Sequence, residues 1–205
     1  RGGFQAGADL SGATLNAASA IVDDDANELT YQGFRASVAH EINESWDMLA
    51  TVAQQTIEAD GVFFVDPNLG DLEVQRFSKD EIEDEYDNMS LTLEGSVGDL
   101  EVVYAGAYTD RTTDQIVDYT DYLFVGQYLP YYICDTTVTY SATPSGTCQA
   151  PDLYVDSTTN LEVTSHEFRI NTDINDTTSL TAGAFVSDTE VTELNFFTYP
   201  GSQYN

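Results

Sequence analysis

The sequence predicts an all-β chain, an antiparallel transmembrane β-barrel segment of about three hairpins with long extracellular loops. Short stretches alternate apolar and polar residues, as strands with one apolar and one polar face must. The connections between them switch between very short and very long, which a soluble sandwich has no reason to do and a membrane barrel does. No run approaches the roughly 18 apolar residues of a transmembrane helix, whereas a spanning strand needs only about 9–11.

The first hairpin is expected as Thr30–His40, a turn over Glu41-Ile42-Asn43-Glu44-Ser45, and Trp46–Glu58. Phe34, Ala36 and Val38 fall opposite Gly33, Arg35 and Ser37. On the return, Trp46, Met48, Ala50 and Val52 share a face. Trp46 sits beside the turn, where an aromatic girdle residue meets the membrane boundary; a core Trp of a soluble sheet is the plainer alternative.

The second hairpin, Met89–Val97 with Leu100–Asp110, turns at Gly98-Asp99. Met89, Leu91, Leu93, Val102 and Tyr104 oppose Ser90, Thr92, Glu94, Glu101 and Val103. The third is expected as Val163–Asn171, a turn over Thr172–Ser179, and Leu180–Asp188. There His166, Phe168 and Ile170 alternate with Glu167, Arg169 and Asn171.

In a barrel Phe34, Val38, Met89, Leu91, Leu93, Val102, Tyr104, Phe168, Ile170 and Leu180 face lipid. Arg35, Ser90, Glu94, Glu167 and Arg169 then face the interior, because Arg facing mid-bilayer lipid costs roughly 2–4 kcal/mol. A soluble protein inverts this arrangement.

Acidic residues number 36 against 6 basic, a formal net charge of −30. Nucleic acid is excluded as a partner, since phosphate binding needs clustered Lys and Arg. Disorder is a poor fit, because 41% of residues are hydrophobic and 12% aromatic. The acids are therefore expected in loops, at Asp23-Asp24-Asp25, Asp66-Pro67-Asn68 and Asp80–Asp87. Arg1-Gly2-Gly3-Phe4 has no charged segment leading into an apolar core, so the chain reads as an internal fragment.

Tyr31-Gln32-Gly33-Phe34-Arg35, the segment from Trp46-Asp47 to Ile57-Glu58-Ala59-Asp60-Gly61, and Ser165-His166-Glu167-Phe168-Arg169-Ile170 resemble barrel strands of TonB-dependent outer-membrane receptors. Thr178–Val186 with Asp188 resembles the strand that follows. The resemblance runs from about Asp25 to Glu190 and rests on loose strand patterns. It implies a monomeric barrel of about 22 strands closed by a plug, and import of a scarce nutrient (metal chelate, vitamin or oligosaccharide) energised by TonB. In that frame residues 1–28 and 191–205 are extracellular loops and 29–190 are barrel strands and loops. The implied partners are outer-membrane lipid, an extracellular small-molecule ligand, and TonB acting through a plug outside this chain. The implied location is the bacterial outer membrane. The sequence holds no recognisable TonB box or plug.

No catalytic constellation is present in the sequence: His40 and His166 stand apart, and neither Gly-x-Ser-x-Gly nor His-Glu-x-x-His occurs. The expectation is no enzyme, no cofactor and no metal ligand set. The acidic runs lack calcium-loop spacing, which leaves solvated charge as the favoured reading over Ca²⁺. Cys134 and Cys148, the only pair, lie in a turn-rich loop. A disulfide there would contribute about 3 kcal/mol and mark an oxidising compartment; two free buried thiols are the alternative. Tyr119, Tyr122, Phe124, Tyr128, Tyr131 and Tyr132, in the long loop after the second hairpin, are candidate ligand contacts or loop-packing residues. Asn43, Asn88 and Asn175 each head an Asn-x-Ser/Thr triplet, which carries no meaning in a bacterial barrel. In a secreted or surface acidic all-β binding module, a sandwich stabilised by calcium and a disulfide, the triplets would matter. That module is the competing class.

Overall fold

The computed structural model describes residues 13–15, 27–61, 71–72, 74, 76, 78–119, 132–133, 138–139, 146–148 and 153–198. In chain order the strands are β1 (Ala13–Leu15), β2 (Leu29–Asn43), β3 (Trp46–Asp60), β4 (Glu81–Val97), β5 (Leu100–Asp118), β6 (Tyr132–Ile133), β7 (Val138–Thr139), β8 (Gly146–Cys148), β9 (Tyr154–Asn175) and β10 (Thr178–Thr198). Six of them form one antiparallel sheet in the order β10-β9-β5-β4-β3-β2. The short strands pair separately, β1 with β8 in parallel and β6 with β7 antiparallel. The large sheet is open: β2 and β10 are edges and do not meet. The all-β antiparallel expectation holds, and closure into a barrel is not present among these six strands.

The three hairpins pair as expected, with register irregularities beside the first and third turns, between Glu41 and Asn43 and between Thr178 and Ser179. Their turns are tighter than the alternation suggested. Asn43 and Trp46 flank Glu44-Ser45, and Asn175 and Thr178 flank Asp176-Thr177. The first turn therefore replaces the expected Glu41–Ser45, and the third replaces Thr172–Ser179. Side-chain chemistry explains the tightness. Asn43 Oδ1 accepts from the Ser45 backbone N–H at 2.9 Å. Asn175 Oδ1 accepts from the Thr177 N–H at 3.0 Å and from its hydroxyl at 2.9 Å. These are Asx turns, in which the Asn side chain imitates a backbone carbonyl. Two of the Asn-x-Ser/Thr triplets thus serve as turn formers. In the middle hairpin Gly98 takes φ 64°, the left-handed conformation that its turn requires.

The strands also run further from the turns than expected. Residues 81–87, taken for acidic loop, are the first part of β4. β9 begins at Tyr154, and β10 continues to Thr198 past the expected limit at 190. The short turns lie at one end of the sheet, and the connections 61–80 and 119–153 leave from the other. Among the described residues there is no helix, and hence none long and apolar enough to cross a membrane.

Candidate functional site: an apolar band and a polar face

Register fixes which side chains share a face, because paired residues of adjacent strands point the same way. One row runs Val38–Ala50–Leu91–Gly106–His166–Val186. The next toward the turns runs His40–Met48–Leu93–Tyr104–Phe168–Ala184. Extending this parity places all ten residues expected to face lipid on one face, and Arg35, Ser90, Glu94, Glu167 and Arg169 on the other.

The apolar face is open. Phe34, Val38, Met89 and Val186 are each 58% exposed or more. The polar face holds the sheet's buried residues, Thr51, Ala59, Asp84, Val155 and Ser157, while Arg35, Glu94, Arg169 and Phe185 on it are exposed. Among the described residues the buried hydrophobics are only Ala59, Leu153 and Val155. Among the described residues no sandwich core covers the apolar band, which is the reverse of a soluble sheet. Leu49, Val103 and Phe185 depart from the pattern on the polar side.

The apolar face ends abruptly. Val52, Met89 and Tyr108 share one row, and the next row away from the turns is Gln54–Asp87–Asp110–Glu162–Glu190. Beyond it the same face carries Glu58, Asp60, Glu81, Glu83, Glu85, Asp114 and Asp156, with exposed Leu194 and Phe196 on β10. From Met89 to Val97 the band in β4 spans about nine residues, the length of a membrane-crossing strand. Its upper limit slides two rows across the sheet, from Phe34 in β2 to Val186 in β10. That is about 13 Å over about 24 Å of sheet, a slant of roughly 30°.

Within the band, glycines are roofed by aromatic rings. A Cβ on Gly95 would run into the Trp46 ring, and one on Gly106 would sit 2.6 Å from the Tyr104 hydroxyl. Trp46 therefore occupies the band's lower margin beside the turn. The Tyr104 hydroxyl lies 2.8 Å from His166 Nδ1, with the rings stacked at 6.1 Å.

The three described strand arginines, Arg35, Arg111 and Arg169, all lie on the polar face. Arg169 pairs with Glu167 at 3.4 Å. Arg111 Nε donates to Asp84 Oδ2 at 2.8 Å, and the Thr113 hydroxyl donates to the same oxygen at 2.6 Å. Asn88 donates to the Tyr108 carbonyl and to Thr109 Oγ1. Tyr31 donates its hydroxyl to Gln55 Oε1. Near the turns, Asn171 bridges Glu101 and Thr181, at 2.9 Å each.

At the far end a charged knot joins the roots of both long connections. The Arg76 guanidinium grips both oxygens of Asp80 at 2.6 Å, and Nη2 also donates to the Asp118 carbonyl at 3.2 Å. The Asp118 N–H donates to Asp80 Oδ1, and the Ser78 N–H to Asp118 Oδ2. Both aspartates are 5% exposed, so the bidentate pairing offsets a large desolvation cost. Lys79 beside them bonds Glu81 and lies 3.4 Å from Asp60. The hydrogen bond to Glu81, aided by both negative charges, holds its ammonium above the ordinary lysine range.

Of the loop aromatics, Tyr119 is described. Its N–H bonds the Leu153 carbonyl, and its ring meets Phe197 edge-on at 5.9 Å. Tyr132 pairs through its backbone with Thr139. Tyr122, Phe124, Tyr128 and Tyr131 lie outside the described residues, as do Cys134, Asp23-Asp24-Asp25 and Asp66-Pro67-Asn68. The disulfide with Cys148 therefore falls outside them too. Among the described residues no group of three or more His, Cys, Asp or Glu is placed to hold a metal. Gln55, Tyr86 and Arg111, which the sequence reading did not single out, share the polar face with Tyr31 and Asn88. Alternation was the available signal for Tyr86, hidden in the acidic stretch taken for loop.

Comparison with protein families, with curated proteins and with solved structures finds no match to this chain.

Proposed function

We propose that these six strands are part of the wall of an outer-membrane β-barrel, and that the barrel is a TonB-dependent receptor importing a scarce nutrient. The observation that carries the barrel reading is the apolar band. It is about nine residues tall, ends along an oblique line that shifts two rows across the six strands, and stands on two-residue turns, with the strand arginines on the opposite face. A slant of roughly 30° is a little below the roughly 35–45° strand tilt of membrane barrels. Two open edges have no place in hydrocarbon, where unpaired N–H and C=O groups find no water. The reading therefore requires further strands at β2 and β10. Supporting the receptor class are the resemblance of the strand segments and the length of the strands. β9 has 22 residues, more than twice what the band needs, so its upper part stands clear of the membrane.

The polar face then lines the lumen, and the acidic part of the other face forms the barrel's outer wall above the lipid. The test is the lipid requirement of the full-length protein. It should stay dispersed only in detergent or bilayers, float with liposomes and migrate as a compact, heat-modifiable band on gels. A monodisperse, detergent-free monomer would sink the reading.

A further inference from the structure

We infer that the polar face carries a binding stripe for a neutral oligosaccharide, centred on Arg111 and Tyr86. The inference deepens the receptor reading and relies on it only for placing this face inside a lumen. Gln55, Tyr86 and Arg111 occupy one register row across β3, β4 and β5, and Tyr31 of β2 joins the row by bonding Gln55. The stripe is about 14 Å across three strand spacings, longer than a single sugar ring.

Its hydrogen-bonding groups are positioned but not used up. Asp84 is 5% exposed and holds Arg111 by Nε alone, while the arginine is 48% exposed. The two terminal guanidinium nitrogens thus present a planar pair of donors to open space. Gln55 Oε1 is taken by Tyr31, which leaves its amide N–H groups facing out. Asn88 spends its N–H groups on β5 and leaves its Oδ1 acceptor. Donors at Gln55 and Arg111 thus lie in one row, with the Asn88 acceptor in the neighbouring row. A bare anion only accepts and would meet the Asn88 oxygen and the Asp84 carboxylate unfavourably. Sugar hydroxyls both donate and accept, and vicinal hydroxyls match the spacing of a guanidinium fork. Tyr86, within the row, supplies a ring face for the apolar side of a pyranose. The Asp84–Arg111 pair is neutral as a unit, and the net charge of −30 turns anionic ligands away.

The experiment is isothermal titration of the full-length protein in detergent with xylo-, cello- and malto-oligosaccharides, and with oligogalacturonate in parallel. At least one neutral series should bind saturably. Y86A and R111K should each weaken that binding tenfold or more, because R111K keeps the charge beside Asp84 but removes the fork. E190Q, on the opposite face, should bind as the parent does, and heat-modifiable migration verifies that each variant is folded. The inference is overturned if no neutral series binds the folded protein, if oligogalacturonate alone binds, or if Y86A and R111K bind unchanged. Saccharide binding by a protein that needs no detergent would refute the receptor reading and leave the stripe standing.

Discussion

The Tyr104 hydroxyl and His166 Nδ1 lie 2.8 Å apart in the middle of the apolar face. In the proposed barrel, each is the other's partner at a level where lipid would offer none. Gly106 makes room for the contact, since any Cβ there would run into the tyrosine. Removing one partner should therefore harm more than removing both. Y104F and H166F are each expected to lower unfolding stability in bilayers by about 1 kcal/mol, with the double variant recovering part of the loss. Denaturant titration of the four proteins measures the coupling, and strictly additive losses would refute it.

Leu93 and Thr92 are neighbours that point to opposite faces. L93R places a guanidinium in the centre of the band and should cost about 2–4 kcal/mol, enough to block assembly into vesicles. T92R faces the polar side and should assemble normally. Equal assembly of the two variants would mean that the band does not meet lipid.

Asp87, Asp110, Glu162 and Glu190 stand side by side in one register row with no base among them. Like charges directly opposite on a sheet repel by roughly 0.2–1 kcal/mol per pair. D110N and E162Q should each raise stability by that order. For the parent, raising salt from 0.01 to 0.15 M should also raise stability, because the Debye length falls from about 30 to about 8 Å. The measurement is the denaturation midpoint in micelles of a non-ionic detergent.

N175A removes the acceptor of two bonds that close the last hairpin. A loss of about 1–2 kcal/mol is expected, whereas N175D, which keeps an acceptor, should lose little. Glycan analysis of N43A, N88A and N175A is not needed to interpret these effects, because the side chains act within the fold.

The hairpins were legible because alternation and turn chemistry agree at the lower end of the sheet. Val97-Gly98-Asp99-Leu100 marks a turn in any context, and Met89, Leu91 and Leu93 alternate cleanly with Ser90 and Thr92. Above the band in β4 the alternation persists but its apolar members are gone from one face. Glu81, Glu83, Glu85 and Asp87 interleave with Ile82, Asp84 and Tyr86, a strand whose outer face is acidic, and acidity was taken for loop. The Arg76–Asp80–Asp118 knot was not legible, because Asp118 is about forty residues from the other two and reaches them only once β4 and β5 have paired. The polar-face stripe was missed for the same reason: Gln55, Tyr86 and Arg111 become neighbours only once three strands are paired.

Six antiparallel strands have a consequence in parity. β2 and β10 run in opposite directions, so any all-antiparallel ring that includes them must be completed by an even number of further strands. The chain also enters β2 and leaves β10 at the same rim, the one bearing the long connections. Three whole hairpins can therefore be excised from such a ring, or duplicated within it, without reversing or threading any other strand. Topologically the segment is a cassette, and barrel circumference is free to change in steps of that kind.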